Sequence, residues 1–168
     1  PEITEENVLT HLLKRDLAIS TMQSRDAPVA DTLLNASSLI WGVGPVLKRG
    51  AIVAIYTPKG ATFLPPEDRA SIRYLFSVAQ DTQPTHVAVP WKQYVFLHRR
   101  TVLDHPLSIY DLKTDAVAAL WRLPQSNFRG VGQLNTPMNE AEKQIFWQMV
   151  LDRNPEVIPA IIERLLTD

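Results

Sequence analysis

The hydrophobic period of this chain changes twice, and that change limits the folds open to it. Behind Thr4, a good N-cap, and the acids Glu5 and Glu6, the residues Val8, Leu9, Leu12, Leu13, Leu17 and Ile19 recur at roughly helical spacing. A second helix is expected from Asp31 through Leu33, Leu34, Leu39 and Ile40, stopped by the glycines and proline of WGVGP. From Ala51 the pattern turns strand-like. AIVAIYT is rich in β-branched residues, PKG turns the chain, and ATFL is expected to return it as a hairpin. HVAVP, KQYVFLH, TVL and LSIYDL are further strand candidates. Within this middle, PPEDRASIRYLFSVAQ reads as an inserted helix, with prolines and acids at its start. Thr114 is expected to cap another, DAVAALWRL. The helical period then returns. Met138 to Leu151 is one helix, RNP breaks it, and EVIPAIIERLL closes the chain with a kink near Pro159.

The pattern predicts an α+β fold: a small mixed or antiparallel sheet in the middle of the chain, packed against N- and C-terminal helices. Residues 1–168 suffice for one core, and no linker divides them, so a single domain is expected. The composition, 45% hydrophobic and 21% charged, is that of a globular chain. Cysteine is absent, which excludes disulfides, zinc–thiolate sites and a cysteine nucleophile. The apolar runs are too short to span a bilayer, and PEITEEN lacks the features of a signal peptide. A cytoplasmic protein without membrane attachment is the expectation.

The net charge of −1 hides an uneven distribution. Residues 1–47 hold three basic and six acidic side chains (−3), residues 48–100 eight and three (+5), and residues 101–168 six and nine (−3). A basic middle between acidic ends is either an anion-binding surface or is neutralised by the acidic helices packed beside it.

The stretch WKQYVFLHRR sharpens that choice. As a strand it places Trp91, Gln93, Val95 and Leu97 on one face, and Lys92, Tyr94, Phe96, His98 and Arg100 on the other. Aromatic rings that stack on bases, with Lys92, Arg99 and Arg100 against phosphates, are the chemistry of a single-stranded nucleic-acid surface. A central strand covered on both faces also reads this way, with Phe96 in the core and Lys92 and His98 at the rims. WGVGPVLKRG lacks the order of a phosphate-binding loop and reads as a turn into the first strand.

SIYDLKTD places Asp111 and Lys113 after an apolar strand, with Asp104 upstream. Metal-dependent nucleases use such acids to hold a metal ion beside a lysine. A strand end leading into a helix accounts for the same residues. His11, His86, His98 and His105 form no metal-binding pair in sequence, and no Ser, His and Asp are grouped for nucleophilic catalysis. No cofactor is expected.

The C-terminal segments carry Phe146, Trp147, Met149, Val150, Leu151, Val157, Ile158, Ile161, Ile162, Leu165 and Leu166, more apolar surface than a one-sided helix needs. That surface either completes the core or is buried against a partner chain. The sequence therefore supports three readings. The first is a non-enzymatic protein-interaction or assembly module, which binds a protein partner or self-associates. The second is a nucleic-acid-binding domain using Lys92, Tyr94, Phe96, His98, Arg99 and Arg100. The third is a metal-dependent nuclease using Asp104 and Asp111.

Overall fold

The strand-rich middle does form a mixed sheet, and the chain's two ends supply the helices beside it. The structure, a computed structural model, describes residues 2–21, 39–43, 47–60, 62, 64–81, 83–84, 93–116 and 138–167, with 39–43, 83–84 and 93–94 as backbone only. In chain order the elements are α1 (Val8–Leu12), β1 (Leu17–Thr21), β2 (Leu39–Val43), β3 (Ile52–Thr57), β4 (Ser71–Val78), β5 (Gln83–Pro84), β6 (Gln93–Ser108), α2 (Ile109–Thr114), α3 (Glu140–Arg153) and α4 (Ile158–Thr167). The strand order is β1-β3-β4-β6-β2, with β5 paired to the start of β6. The pairing of β1 with β3 is parallel and the others are antiparallel. This is the expected α+β class.

Several local assignments differ from the sequence expectation. The first helix covers only Val8–Leu12, and Leu17 and Ile19 belong to β1. Thr4 does not cap it. The residue before the helix is Asn7, whose side chain accepts from the Thr4 N–H at 2.6 Å. Leu17 and Ile19 are two apart, so they satisfy a strand as well as the end of a helical pattern. Leu39 to Val43 are strand β2, not the end of a second helix, and residues 31–38 lie outside the described residues. The turn expected from WGVGPVLKRG falls at its end, where Gly50 has φ +88°.

The largest difference is at PPEDRASIRYLFSVAQ. Pro66–Asp68 form one 3-10 turn, and Ser71–Val78 are strand β4, which returns antiparallel to β3. The proline and acids mark a turn whose continuation is set by Tyr74, Phe76 and Val78, an alternating set on one sheet face. Thr62 and Leu64 lie in the connection, so ATFL is not the returning strand. TVL and the start of LSIYDL join KQYVFLH in the 16-residue β6. Ile109 to Thr114 form α2, so Thr114 ends a helix instead of starting one. HVAVP and the expected helix after Thr114, beyond residue 116, lie outside the described residues.

The C-terminal helices match the sequence closely. Asn139 and Glu142 form a reciprocal capping box at the start of α3. Pro155–Val157 form a 3-10 turn, and α4 begins at Ile158. Pro159 thus sits in the first turn, where its missing N–H breaks no helical bond, and no kink is required.

One face of the sheet packs against the helices. Leu17, Ile19, Ile52, Ala54, Ile72, Leu75, Leu103 and Leu107 meet Val8, Leu12, Phe146, Trp147, Val150, Ile161 and Leu165 in one buried cluster. Phe146 and Trp147 meet edge to face at 5.0 Å between centroids. On the opposite face Val53, Ile55, Tyr74, Phe76, Val78, Val95 and Leu97 form a second buried cluster with Leu47 and Leu64. Of the apolar C-terminal side chains, Phe146, Trp147, Met149, Val150, Val157, Ile158, Ile161 and Leu165 are buried in the chain's own core, while Leu166 is 64% exposed. No described helix is long and apolar enough to cross a membrane.

Polar side chains from the helices fasten the ends of the chain together. Lys143 is only 8% exposed, and its Nζ donates to the carbonyls of Leu13 (2.8 Å) and Arg15 (3.1 Å), just past α1. Arg15 reaches the carbonyls of Gly50 (3.2 Å) and Leu165 (3.1 Å). A Cβ on Gly50 would lie 2.8 Å from Arg15 Nη1. Asn154, fully buried, accepts from the His105 N–H at 2.8 Å and donates to its carbonyl at 3.0 Å. At that point β6 takes five steps, from Leu107 to Val102, against two from Ile72 to Tyr74, and the Asn154 amide stands in for strand partners.

Replacing Lys143 by Met keeps most of the apolar stem and removes both bonds. Urea unfolding of Lys143→Met is expected to show a loss of about 1.5–3 kcal/mol, the range for a hydrogen bond to a charged group. An unchanged midpoint would show that the clamp contributes nothing to stability.

Candidate functional site

The cationic, aromatic stretch does not stay on one face. Val95 and Leu97 enter the buried cluster on the side away from the helices, which leaves half-buried Phe96 and His98 on the other side. At Arg99 the strand bulges. Ser77 pairs with His98 and Leu75 with Thr101, so two steps on β4 face three on β6. Arg99 takes φ +54°, the left-handed conformation that accommodates an extra residue. The alternation therefore shifts by one. Arg100 lies over the ring of Tyr74, 5.6 Å from its centroid, on the side opposite to Phe96 and His98. Thr101 turns toward the helices, where Arg164 Nη2 donates to its Oγ1 at 2.5 Å and also to the Arg99 carbonyl. Lys92 and the side chain of Tyr94 lie outside the described residues. Phe96 and His98 thus share one face of β6, and Arg100 lies with Tyr74 on the other.

The proposed metal ligands are also separated in role. Asp111 stands in the first turn of α2, and its Oδ2 accepts from Arg153 Nη1 at 3.0 Å. Lys113 is two residues on in the same helix, where side chains at that spacing point to different sides. Asp104 is exposed on β6. Among the described residues no group of three His, Asp or Glu side chains is placed to hold a metal ion.

Sequence reasoning did not single out Asp68. Its carboxylate is 2% exposed, with Oδ1 2.5 Å from Arg73 Nη1 and Oδ2 accepting from the Tyr74 hydroxyl at 3.0 Å. Its carbonyl accepts from the hydroxyls of Thr57 and Ser71. Arg69 reaches the carbonyls of Leu64 (2.9 Å) and Thr62 (3.1 Å). These bonds close the connection between β3 and β4 on itself. Burial, then the Asp68 charge and hydrogen bond, push the Tyr74 hydroxyl up to about 12, and Tyr56 is pushed to about 12 chiefly by burial. A phenol held neutral in this way donates a hydrogen bond and does not act as a base near neutral pH. The cluster is a structural lock.

A different place is open to a ligand. Where the two ends of the chain meet, Glu5, Glu6, Val8 and Leu9 face Gln148, Leu151, Asp152, Pro155 and Ile158 across a groove of about 430 Å³. Val8 and Ile158 are buried in its floor, and Leu9 and Leu151 remain partly exposed. Gln148 donates to both carboxylate oxygens of Asp152, at 3.2 and 3.3 Å, one helical turn apart. The Glu6 carboxyl is held below its ordinary range by its own backbone N–H and by Thr4. No cation among the described residues pairs with Glu5, Glu6 or Asp152. The sequence signals for this groove were the acidic start of the chain and the excess of apolar residues at its end, but neither predicts that the two converge.

The sequence matches no protein-family profile and no curated protein. Its fold is similar to that of three solved structures. Rpa0253 from Rhodopseudomonas palustris is 12% identical, with a TM-score of 0.53 over 84% of this chain and 94% of that one. A hypothetical protein from Leishmania major is 14% identical, with a TM-score of 0.55 over 83% and 96%. PSPTO5229 from Pseudomonas syringae is 13% identical, with a TM-score of 0.50 over 82% and 99%. At these identities the likeness is one of fold.

The raised phenols make the Asp68 lock testable. A group whose pKa is raised on folding stabilises the fold at pH below its unfolded value, near 10, and that stability is lost as the pH rises through about 12. Stability is therefore expected to fall between these limits. Ultraviolet titration is expected to show two of the four tyrosines ionising only near pH 12, and Tyr74→Phe to remove one of them. Ionisation of every tyrosine near pH 10 in the folded protein would contradict the buried network.

Proposed function

We propose that this chain is a non-enzymatic protein-interaction module that receives a segment of a partner in the groove between α1, α3 and the start of α4. The carrying observation is the groove itself: an apolar floor, two partly exposed leucines and a solvent-facing opening, built by elements packed on the buried core. Recognition of a partner segment by a groove between helices, with polar and apolar walls in similar measure, needs no reacting group, only pre-formed shape and placed polar positions. The chemistry around it agrees. The buried Asp68 and Tyr74 are spent on internal bonds, and Asp111 is paired to Arg153. The exposed Leu166 and Tyr110 are single side chains of a kind common on any surface.

Selection of a displayed random-peptide library on the purified protein tests this reading. Peptides that bind wild type are expected to lose binding to the Leu9→Glu, Leu151→Glu double variant, whose melting curve is measured alongside. Peptides that bind both proteins equally, with both folded, would place the interaction elsewhere. If the double variant fails to fold, Leu9→Ser and Leu151→Ser take its place.

A further inference from the structure

We infer that the segment received by this groove carries an apolar anchor flanked by lysine or arginine. The inference rests on the proposed interaction role and names the chemistry of the partner. The anchor follows from Leu9, Leu151 and Pro155, which keep carbon surface open above buried Val8 and Ile158 in a space of about 430 Å³. Such a volume lies within the range of pockets that hold small ligands.

The flanking charge follows from the rim. Glu5 and Glu6 come from one end of the chain and Asp152 from the other, and the fold brings these like charges around one opening. The cations of α3 and α4 are committed elsewhere. Lys143 is turned to the carbonyls of Leu13 and Arg15, Arg153 to Asp111, and Arg164 to Arg99 and Thr101. Helix α1 contributes His11 as its one basic side chain. Among the described residues of the basic middle, Lys48 pairs with Asp81 and Arg73 with Asp68, not with this rim. Gln148 orders Asp152 without cancelling its charge, because an amide brings hydrogen bonds and no net charge. An acidic segment or a nucleic acid meets repulsion here, whereas a basic one meets pre-placed carboxylates. Complementary charge of this kind selects among partners and speeds encounter more than it tightens binding.

The test uses two labelled synthetic peptides with the same leucine-containing centre, one flanked by lysines and one by glutamates. Fluorescence anisotropy follows binding to the full chain and to its Glu5→Gln, Glu6→Gln, Asp152→Asn variant. The lysine-flanked peptide is expected to bind wild type with amide shifts at Leu9, Gln148 and Leu151. It is expected to weaken at least about threefold with the neutralised variant, as loss of three exposed charge pairs implies. Added salt is expected to weaken it likewise. Equal binding of both peptides at those residues, unaffected by neutralisation, would overturn the charge assignment and leave the interaction role standing. Binding of neither peptide would overturn both. Light scattering of wild type at increasing concentration completes the test. A dimer lost in the neutralised variant would assign the groove to a second copy of this chain and overturn the partner segment.

Discussion

The amine of Lys143 joins the two ends of the chain. It projects from α3 into the buried layer and satisfies two carbonyls that follow α1, which have no helical partner of their own. A buried ammonium is costly without such acceptors, so the carbonyl positions and the lysine fix one another. Arg15, whose carbonyl is one of the two, carries the connection onward to α4 and to the turn before β3. The segments on either side of the sheet-forming middle form the walls of the groove, and the packing of Phe146, Trp147, Val8 and Leu12 beneath them holds those walls in place.

A second buried cation organises the other end of the helical layer. Arg164 binds the carbonyl of Arg99 and the hydroxyl of Thr101, on either side of the point where β6 bulges. The bulge and the arginine support each other. Without the extra residue, Thr101 would face away from α4, since a shift of one residue moves a side chain to the other face. The same shift sets Arg100 on the face opposite to Phe96 and His98, and lays it on Tyr74 beside the Asp68 network.

How far the fold was legible depended on whether one period excluded the other. The helix α3 carries its own cap in Asn139 and Glu142 and buries positions three and four apart, so it was readable over nearly its full length. The strand β3, a run of β-branched residues buried on both faces, was readable too. Leu17 and Ile19 fit both periods, and the choice was made by pairing with Ile52 and Ala54, far away in sequence. For SIRYLFSV the helix-like start was a real local turn, but pairing with β3 and β6 decided what followed. The groove was less legible still. Glu5 and Asp152 were visible as members of acidic segments, yet their shared opening exists only because α1 packs on α3 and α4. A lysine three residues before Phe146, on the core side of its helix, was the available hint.

Hydrogen–deuterium exchange of the full chain, with and without saturating lysine-flanked peptide, tests most directly whether the groove between α1, α3 and α4 receives a basic, apolar-anchored segment. Slowed exchange is expected in α1, in the last turns of α3 and at the start of α4, with β6 unchanged. Slowed exchange confined to the Gln93–Thr101 stretch of β6, with the helices unaffected, would contradict it.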